Sequence, residues 1–306
     1  MNRSIVVSGL LIALASCGQA EPVFDTAAHE QEVLEWRAGR LARLKDPLGY
    51  LNQIGLHWLD EGSYSFGSDP GNDIRLPEKA APNIGIFEVG EDGVWMTARD
   101  GVEVYSDEQP VRRILIADDT TEAPVQISHR TFAWTVVKRD GRFAVRVRDF
   151  EHPFAATFGP LPYFPVDSSL RVPATLHRYD EPRIVNVETV IEGLGYHPES
   201  PGTVRFAVEG QTFELEAYTS GDRLFFVFGD ATNRDDTYGA GRFLYAEAPG
   251  DDGQTVLDFN LSYSPPCAFN DFSTCPVASP RNRLPIRIEA GEKYYEALHY
   301  SADVGL

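Results

Sequence analysis

Between residues 26 and 46 the apolar positions recur at helical spacing, with Val33, Trp36, Leu41 and Leu44 on one stripe. Glu30, Glu32 and Glu35 come early in this segment and Arg37, Arg40, Arg43 and Lys45 late, an order that complements the helix dipole. Pro47 then stops the helix. The charged positions read as a solvated face. Beyond Pro47 the period changes to two. Phe132–Lys138 and Arg142–Arg148 alternate on either side of Asp140-Gly141, a strong hairpin signal. Thr203–Val208 and Thr212–Tyr218 flank Gly210 in the same way, and Ser220-Gly221 turns into Arg223–Phe228. Asp92-Gly93 and Asp252-Gly253 mark further turns. The pattern predicts a mainly β fold: an amphipathic helix, a β-sandwich module and a second antiparallel β-module.

A Pro-rich stretch, Phe158-Gly-Pro160-Leu-Pro162-Tyr-Phe-Pro165, interrupts the alternation and divides the strands. It suggests a tether and helix over 17–47, a first module over 48–160 and a second over 161–306. In the first module, Tyr64-Ser-Phe66-Gly67-Ser68 through Ile74-Arg-Leu76-Pro77, followed by Gly85-Ile86-Phe87 and Gly93-Val94-Trp95, resembles the forkhead-associated domain. That resemblance implies an eleven-stranded sandwich. It does not extend to phosphothreonine reading. Ser68 stands where that family has Arg, and its Ser-x-x-His motif would fall near Ala81–Ile84, where neither residue occurs. The module is therefore expected to be a scaffold.

The N-terminus changes the setting. One basic residue, Arg3, precedes an apolar run from Ile5 to Ala15, which fits a secretory signal and is too short to span a bilayer as a finished helix. Leu14-Ala15-Ser16-Cys17-Gly18 resembles a bacterial lipobox, implying a signal peptide over 1–16, lipidation of Cys17 and a lipid-anchored, periplasm-facing protein of the cell envelope. Gly18 rather than Asp after the cysteine favours the outer membrane. Two other cysteines, Cys267 and Cys275, lie eight positions apart, and in an oxidising compartment a disulfide is the default reading. The net charge of −19, from 46 acidic and 27 basic residues, disfavours nucleic acid as a partner.

The richest chemistry lies between Phe225 and Lys293. Phe228-Gly-Asp230-Ala-Thr232, Thr237-Tyr238-Gly-Ala-Gly241-Arg242-Phe243-Leu244, Leu257-Asp258-Phe259-Asn260, Tyr263-Ser-Pro265-Pro266-Cys267, Asn282-Arg283-Leu284 and Glu289-Ala290-Gly291-Glu292-Lys293 follow in succession. With Trp36-Arg37, Gly55-Leu56-His57-Trp58 and Tyr163-Phe164-Pro165-Val166-Asp167, they resemble the bacterial family of domain of unknown function 1684. Ser264 departs from that pattern, where Asn is expected. The resemblance implies no activity.

Read as chemistry, carboxylates among apolar strands must be solvated, paired or perturbed. Asp230, Asp258, Glu289 and Glu292 are the carboxylates, with Arg242 and Arg283 as bidentate partners and Tyr238, Asn260 and Tyr263 as further polar groups. They form either a pocket for an anionic or hydroxylated ligand or an ion-pair network that locks the loops. No Gly-x-Ser-x-Gly elbow, His-Glu-x-x-His pair or phosphate-binding Gly-rich loop with Lys occurs. No metal set or cofactor is expected. Calcium is the one ion that Asp230-Ala-Thr232-Asn233-Arg-Asp235-Asp236 would suit, although the segment lacks the Gly and terminal Glu of an EF-hand loop. The expected function is non-catalytic: binding of a small ligand, glycan or envelope protein, or a scaffold tethered beside other envelope proteins. The alternative is a carbohydrate-directed hydrolase with Asp258 and Glu289 as acid and base.

Overall fold

A computed structural model describes residues 24–300. The lipobox and Cys17 lie outside the described residues. The helix α1 spans Thr26–Lys45, capped by the Asp25 carboxylate, which accepts from the amides of Ala27 (3.0 Å) and Ala28 (3.1 Å).

Eleven strands then form the first module: β1 (Gln53–Leu59), β2 (Gly62–Gly67), β3 (Ile74–Arg75), β4 (Gly85–Gly90), β5 (Gly93–Ala98), β6 (Tyr105–Ser106), β7 (Gln109–Pro110), β8 (Arg113–Ile116), β9 (Gln126–His129), β10 (Phe132–Arg139) and β11 (Arg142–Asp149). A six-stranded sheet, β1-β11-β10-β9-β6-β7, faces a five-stranded one, β3-β2-β4-β5-β8. Trp134 fills the space between them, edge-on to Phe66 at 5.2 Å and to Phe87 at 6.4 Å. The Asp140-Gly141 hairpin closes with Arg139 opposite Arg142, and both turn residues take positive φ (50° and 77°).

The second module contains β12 (Arg171–Ile184), β13 (Val187–Glu188), β14 (Gly195–Tyr196), β15 (Glu199–Val208), β16 (Gln211–Ser220), β17 (Arg223–Phe228), β18 (Arg242–Glu247) and β19 (Gln254–Asp258). Six of these pair in the order β18-β17-β16-β15-β12-β19. The end strands come back together, where the Thr255 hydroxyl donates to the Glu247 carbonyl at 2.7 Å, so the sheet curls into a barrel. Strand β17 is a continuous apolar run because both of its faces are covered. Leu224, Phe226 and Phe228 enter the barrel core, and Phe225 and Val227 pack outside against Tyr218, Phe243 and the two cysteines. Short 3-10 turns at Phe259–Leu261, Pro266–Ala268, Pro280–Asn282 and Glu296–Leu298 carry the chain around the barrel.

Two expectations are corrected here. The expected Cys267–Cys275 disulfide is absent: both are free, buried thiols. The amide of Cys267 donates to Cys275 Sγ at 3.1 Å, and the pair packs as small hydrophobes in the outer apolar shell of the barrel. The charged face of α1 is not simply solvated. Its buried residues are His29, Val33, Arg40 and Leu44, so two polar side chains join the seam with the barrel.

Candidate functional site: a cleft between helix α1 and the barrel

The nine cluster residues expected from sequence separate into distinct places. Arg242 and Asp230 form a closed ion pair, both side chains 0% exposed. The Arg242 guanidinium also donates to the Ser262 hydroxyl (3.1 Å) and to the carbonyls of Ile288 (2.9 Å) and Ala290. The second Asp230 oxygen accepts from the Thr232 amide at 2.7 Å. Burial pushes the Arg242 guanidinium down, and Asp230 opposes it. Gly291 is required beside this knot: at φ +80°, a Cβ there would stand 2.2 Å from the Ser262 hydroxyl. This arrangement holds loops together and presents nothing to a ligand.

Tyr238 faces the thiols instead. Its hydroxyl is pushed up by burial and by the neighbouring Cys267 and Cys275. Glu289 is exposed and pairs with Arg287 at 2.7 Å. Arg283 is exposed, its side chain against Gly229, and forms no ion pair among the described residues. The carboxylate-rich segment 230–236 also finds cations within the chain: Arg287 bonds Asp235 (3.3 Å) and Asp236 (2.5 Å), and Lys293 bonds Asp236 (2.7 Å). Among the described residues no group of three His, Cys, Asp or Glu is placed to hold a metal ion.

The remaining members, Asp258, Asn260, Tyr263 and Glu292, meet α1. His29 Nε2 donates to Asp258 Oδ2 at 2.7 Å, while Asp258 Oδ1 accepts from the Asn260 amide (3.1 Å) and side chain (2.9 Å). Glu292 is sealed beneath the helix. It accepts from Arg40 Nε and from the Ser264 amide, both at 3.2 Å. Burial pushes its carboxyl up, and the Arg40 charge opposes that rise. Arg40 also lies 4.5 Å over the Tyr263 ring and donates to the Ser264 carbonyl at 2.9 Å.

Above this floor opens a cleft of about 660 Å³ between α1, β17, β18 and β19. Trp36, Tyr245 and Tyr263 supply aromatic walls, with the Trp36 and Tyr263 rings 6.0 Å apart. Arg43 lies 6.0 Å from the Trp36 ring and Arg223 4.4 Å over the Tyr245 ring. Arg171, at the start of β12, reaches to 4.0 Å from Asp258. Neither Arg43 nor Arg223 forms an ion pair among the described residues, and none of Arg43, Arg171 and Arg223 donates a side-chain hydrogen bond there. Glu32, Glu247 and Asp258 supply the carboxylates. Of the hydrolase pair considered above, Asp258 lines this cleft and Glu289 does not, so that acid and base are not assembled here.

Sequence reasoning missed the cationic wall. Its one signal was the i, i+3 spacing of Arg37, Arg40 and Arg43, which places guanidinium groups along one helix stripe. Sequence reasoning also missed Glu216. This buried carboxylate accepts from Ser200 (2.5 Å), Tyr179 (2.9 Å), Arg183 (3.2 Å) and Arg281 (3.1 Å) beside a bulge in β12. In the first module, Ala81 and Ile84 pack into the sandwich core and Ser68 donates to the Ala80 carbonyl at 3.0 Å, so none of these three positions offers a phosphate donor.

Comparisons with known proteins agree with a family defined without an activity. Residues 156–293 match the model of the family described as "Protein of unknown function (DUF1684)". No curated protein matches the chain. Among solved structures, the solution NMR structure of an uncharacterized protein from gene locus rrnAC0354 of Haloarcula marismortui is 29% identical. The alignment covers 46% of this chain and 80% of that one, with a TM-score of 0.39.

Proposed function

Since residues 156–293 belong to the DUF1684 family of proteins of unknown function, we propose a function from the cleft itself: an envelope lipoprotein that binds a small anionic ligand between α1 and the barrel. One observation carries this reading. In a chain of net charge −19, Arg43, Arg171 and Arg223 line one aromatic-walled cleft without donating a side-chain hydrogen bond among the described residues, and only Arg171 has an ion pair there, a long one to Asp258 at 4.0 Å. An ion-pair network that only locked the fold would engage those donors, as Arg242 is engaged by Asp230. A guanidinium fork suits carboxylate or phosphate oxygens, and the neighbouring rings suit a flat or sugar-like body. The Arg40–Glu292 pair is part of the floor and fixes the helix that carries Trp36 and Arg43.

The signal-like N-terminus supports the envelope setting, with Cys17 as the lipid attachment and the membrane as the partner it implies. The test is a thermal-shift screen with glucuronate, citrate and inorganic phosphate. A ligand of the folded state at a hundredfold excess over its dissociation constant stabilises by about 2.7 kcal/mol. The expected result is a raised midpoint with one of these anions that disappears in Arg43→Ala/Arg223→Ala. No shift with any of them at millimolar concentration would overturn the reading. Chemical change of the bound anion during incubation would show that the cleft also catalyses.

A further inference from the structure

A second cavity, of about 240 Å³, lies in the seam between sandwich and barrel. Its sandwich wall carries Arg139 of β10 and Arg146 of β11, and its barrel wall carries Tyr196, Phe225 and Phe243. Arg139 Nε donates to Thr274 Oγ1 at 3.3 Å across the rim, tying the modules together. The two arginines differ sharply. Arg139 is held by Asp119 through two hydrogen bonds, of 2.8 and 2.5 Å. Arg146 donates no side-chain hydrogen bond among the described residues, and its Nε is sealed from water without a partner.

Strand alternation explains the position. Val145 and Val147 point into the sandwich core, which turns Arg146 outward, where the barrel then covers it. Burial, followed by the like charges of Arg139 and Arg148, pushes the Arg146 guanidinium down to about 10, and Asp119 opposes this only in part. Arg146 is part-buried and forms no ion pair among the described residues, and an Nε–H sealed from water without a partner is costly. The cavity beside it is walled mainly by apolar and aromatic groups.

We infer that this seam is a second ligand site, separate from the α1 cleft, which takes a small monocarboxylate with a compact apolar body. The carboxylate accepts from the unpartnered Arg146 fork, and the body packs against Phe225 and Phe243. A neutral ligand of the same shape leaves the guanidinium unpaired and binds poorly. A larger polyanion is excluded by size and by the apolar wall. Because the site is lined by residues of both modules, its occupation also tightens the joint between them.

The test uses 4-bromobenzoate and its neutral amide with the whole protein. Crystals soaked in the acid are expected to show a bromine anomalous peak between the modules, with the carboxylate on Arg146. The amide is expected to show none. In solution, Arg146→Leu should weaken binding of the acid about 10- to 100-fold, the range for hydrogen bonds to a charged group. If Arg146→Leu does not fold, Thr274→Phe plugs the rim instead, and it should abolish the seam peak. Bromine found only in the α1 cleft, no bromine at millimolar acid, or equal binding of acid and amide would each overturn the inference.

Discussion

His29 on helix α1 and Asp258 at the end of β19 form a hydrogen bond of 2.7 Å across 229 positions of sequence. Together with Arg40–Glu292 at 3.2 Å, it fastens the helix that forms one wall of the arginine-lined cleft. The partners are 3% and 12% exposed, so water competes weakly for either. Replacing His29 by Ala should lower stability by about 1–3 kcal/mol, because a buried acceptor loses its donor. Urea unfolding measures this directly, and an unchanged midpoint would mean that the helix is held by its apolar stripe alone.

Arg242 and Asp230 make a different prediction. Both side chains are closed to solvent, so removing one leaves an uncompensated charge. Arg242→Met alone should cost about 3–5 kcal/mol. The double variant Arg242→Met/Asp230→Leu should cost clearly less than the sum of the two single changes. Additive losses in a double-mutant cycle would contradict the pairing.

Glu216 should show in the acid limb of stability. Burial pushes its carboxyl up, but hydrogen bonds from Ser200 and Tyr179 and the charges of Arg183 and Arg281 prevail, so it sits below the ordinary value of 4.5. A depressed carboxyl contributes stability above the unfolded value, and that contribution is lost as pH falls through the folded one. The gap in urea midpoint between the parent and Glu216→Gln should therefore hold steady at neutral pH and close below about pH 4. A gap independent of pH down to acid unfolding would exclude an ionised Glu216.

The cysteines give a chemical test. Burial and the neighbouring Cys275 push the Cys267 thiol up, which disfavours the reactive thiolate. Native protein should resist maleimide, and protein unfolded without reductant should label at both Cys267 and Cys275. Labelling of the unfolded chain only after reduction would reinstate the disulfide.

Local structure was largely legible. The helical spacing and Pro47 mark α1, observed at Thr26–Lys45, and the Asp140-Gly141 and Gly210 turns join the strands they were read to join. These signals are local, carried by periodicity and positive-φ turns. The site was less legible because its contacts are distant. His29 meets Asp258 and Arg40 meets Glu292 over 229 and 252 positions, and nothing in an isolated helix distinguishes an arginine that will be buried from one that will be hydrated. The motif-rich segment did hold candidate residues, but proximity in sequence misled. Asp230 and Arg242 close on each other, Glu289 faces solvent with Arg287, and only Asp258 and Tyr263 of the nine line the cleft. Arg171 and Arg223 stand at strand starts, where a charged residue carries no signal of function.

The cleft itself is most directly tested through Trp36, which lines it while Trp134 sits in the sandwich core. Tryptophan fluorescence is titrated with glucuronate, citrate and phosphate in the parent, Trp36→Phe and Arg223→Ala. The predicted result is a saturable change with one anion in the parent. That change should vanish in Trp36→Phe, and its midpoint should move at least about tenfold higher in Arg223→Ala. A response that persists without Trp36, or an affinity indifferent to Arg223, would contradict ligand binding in the cleft.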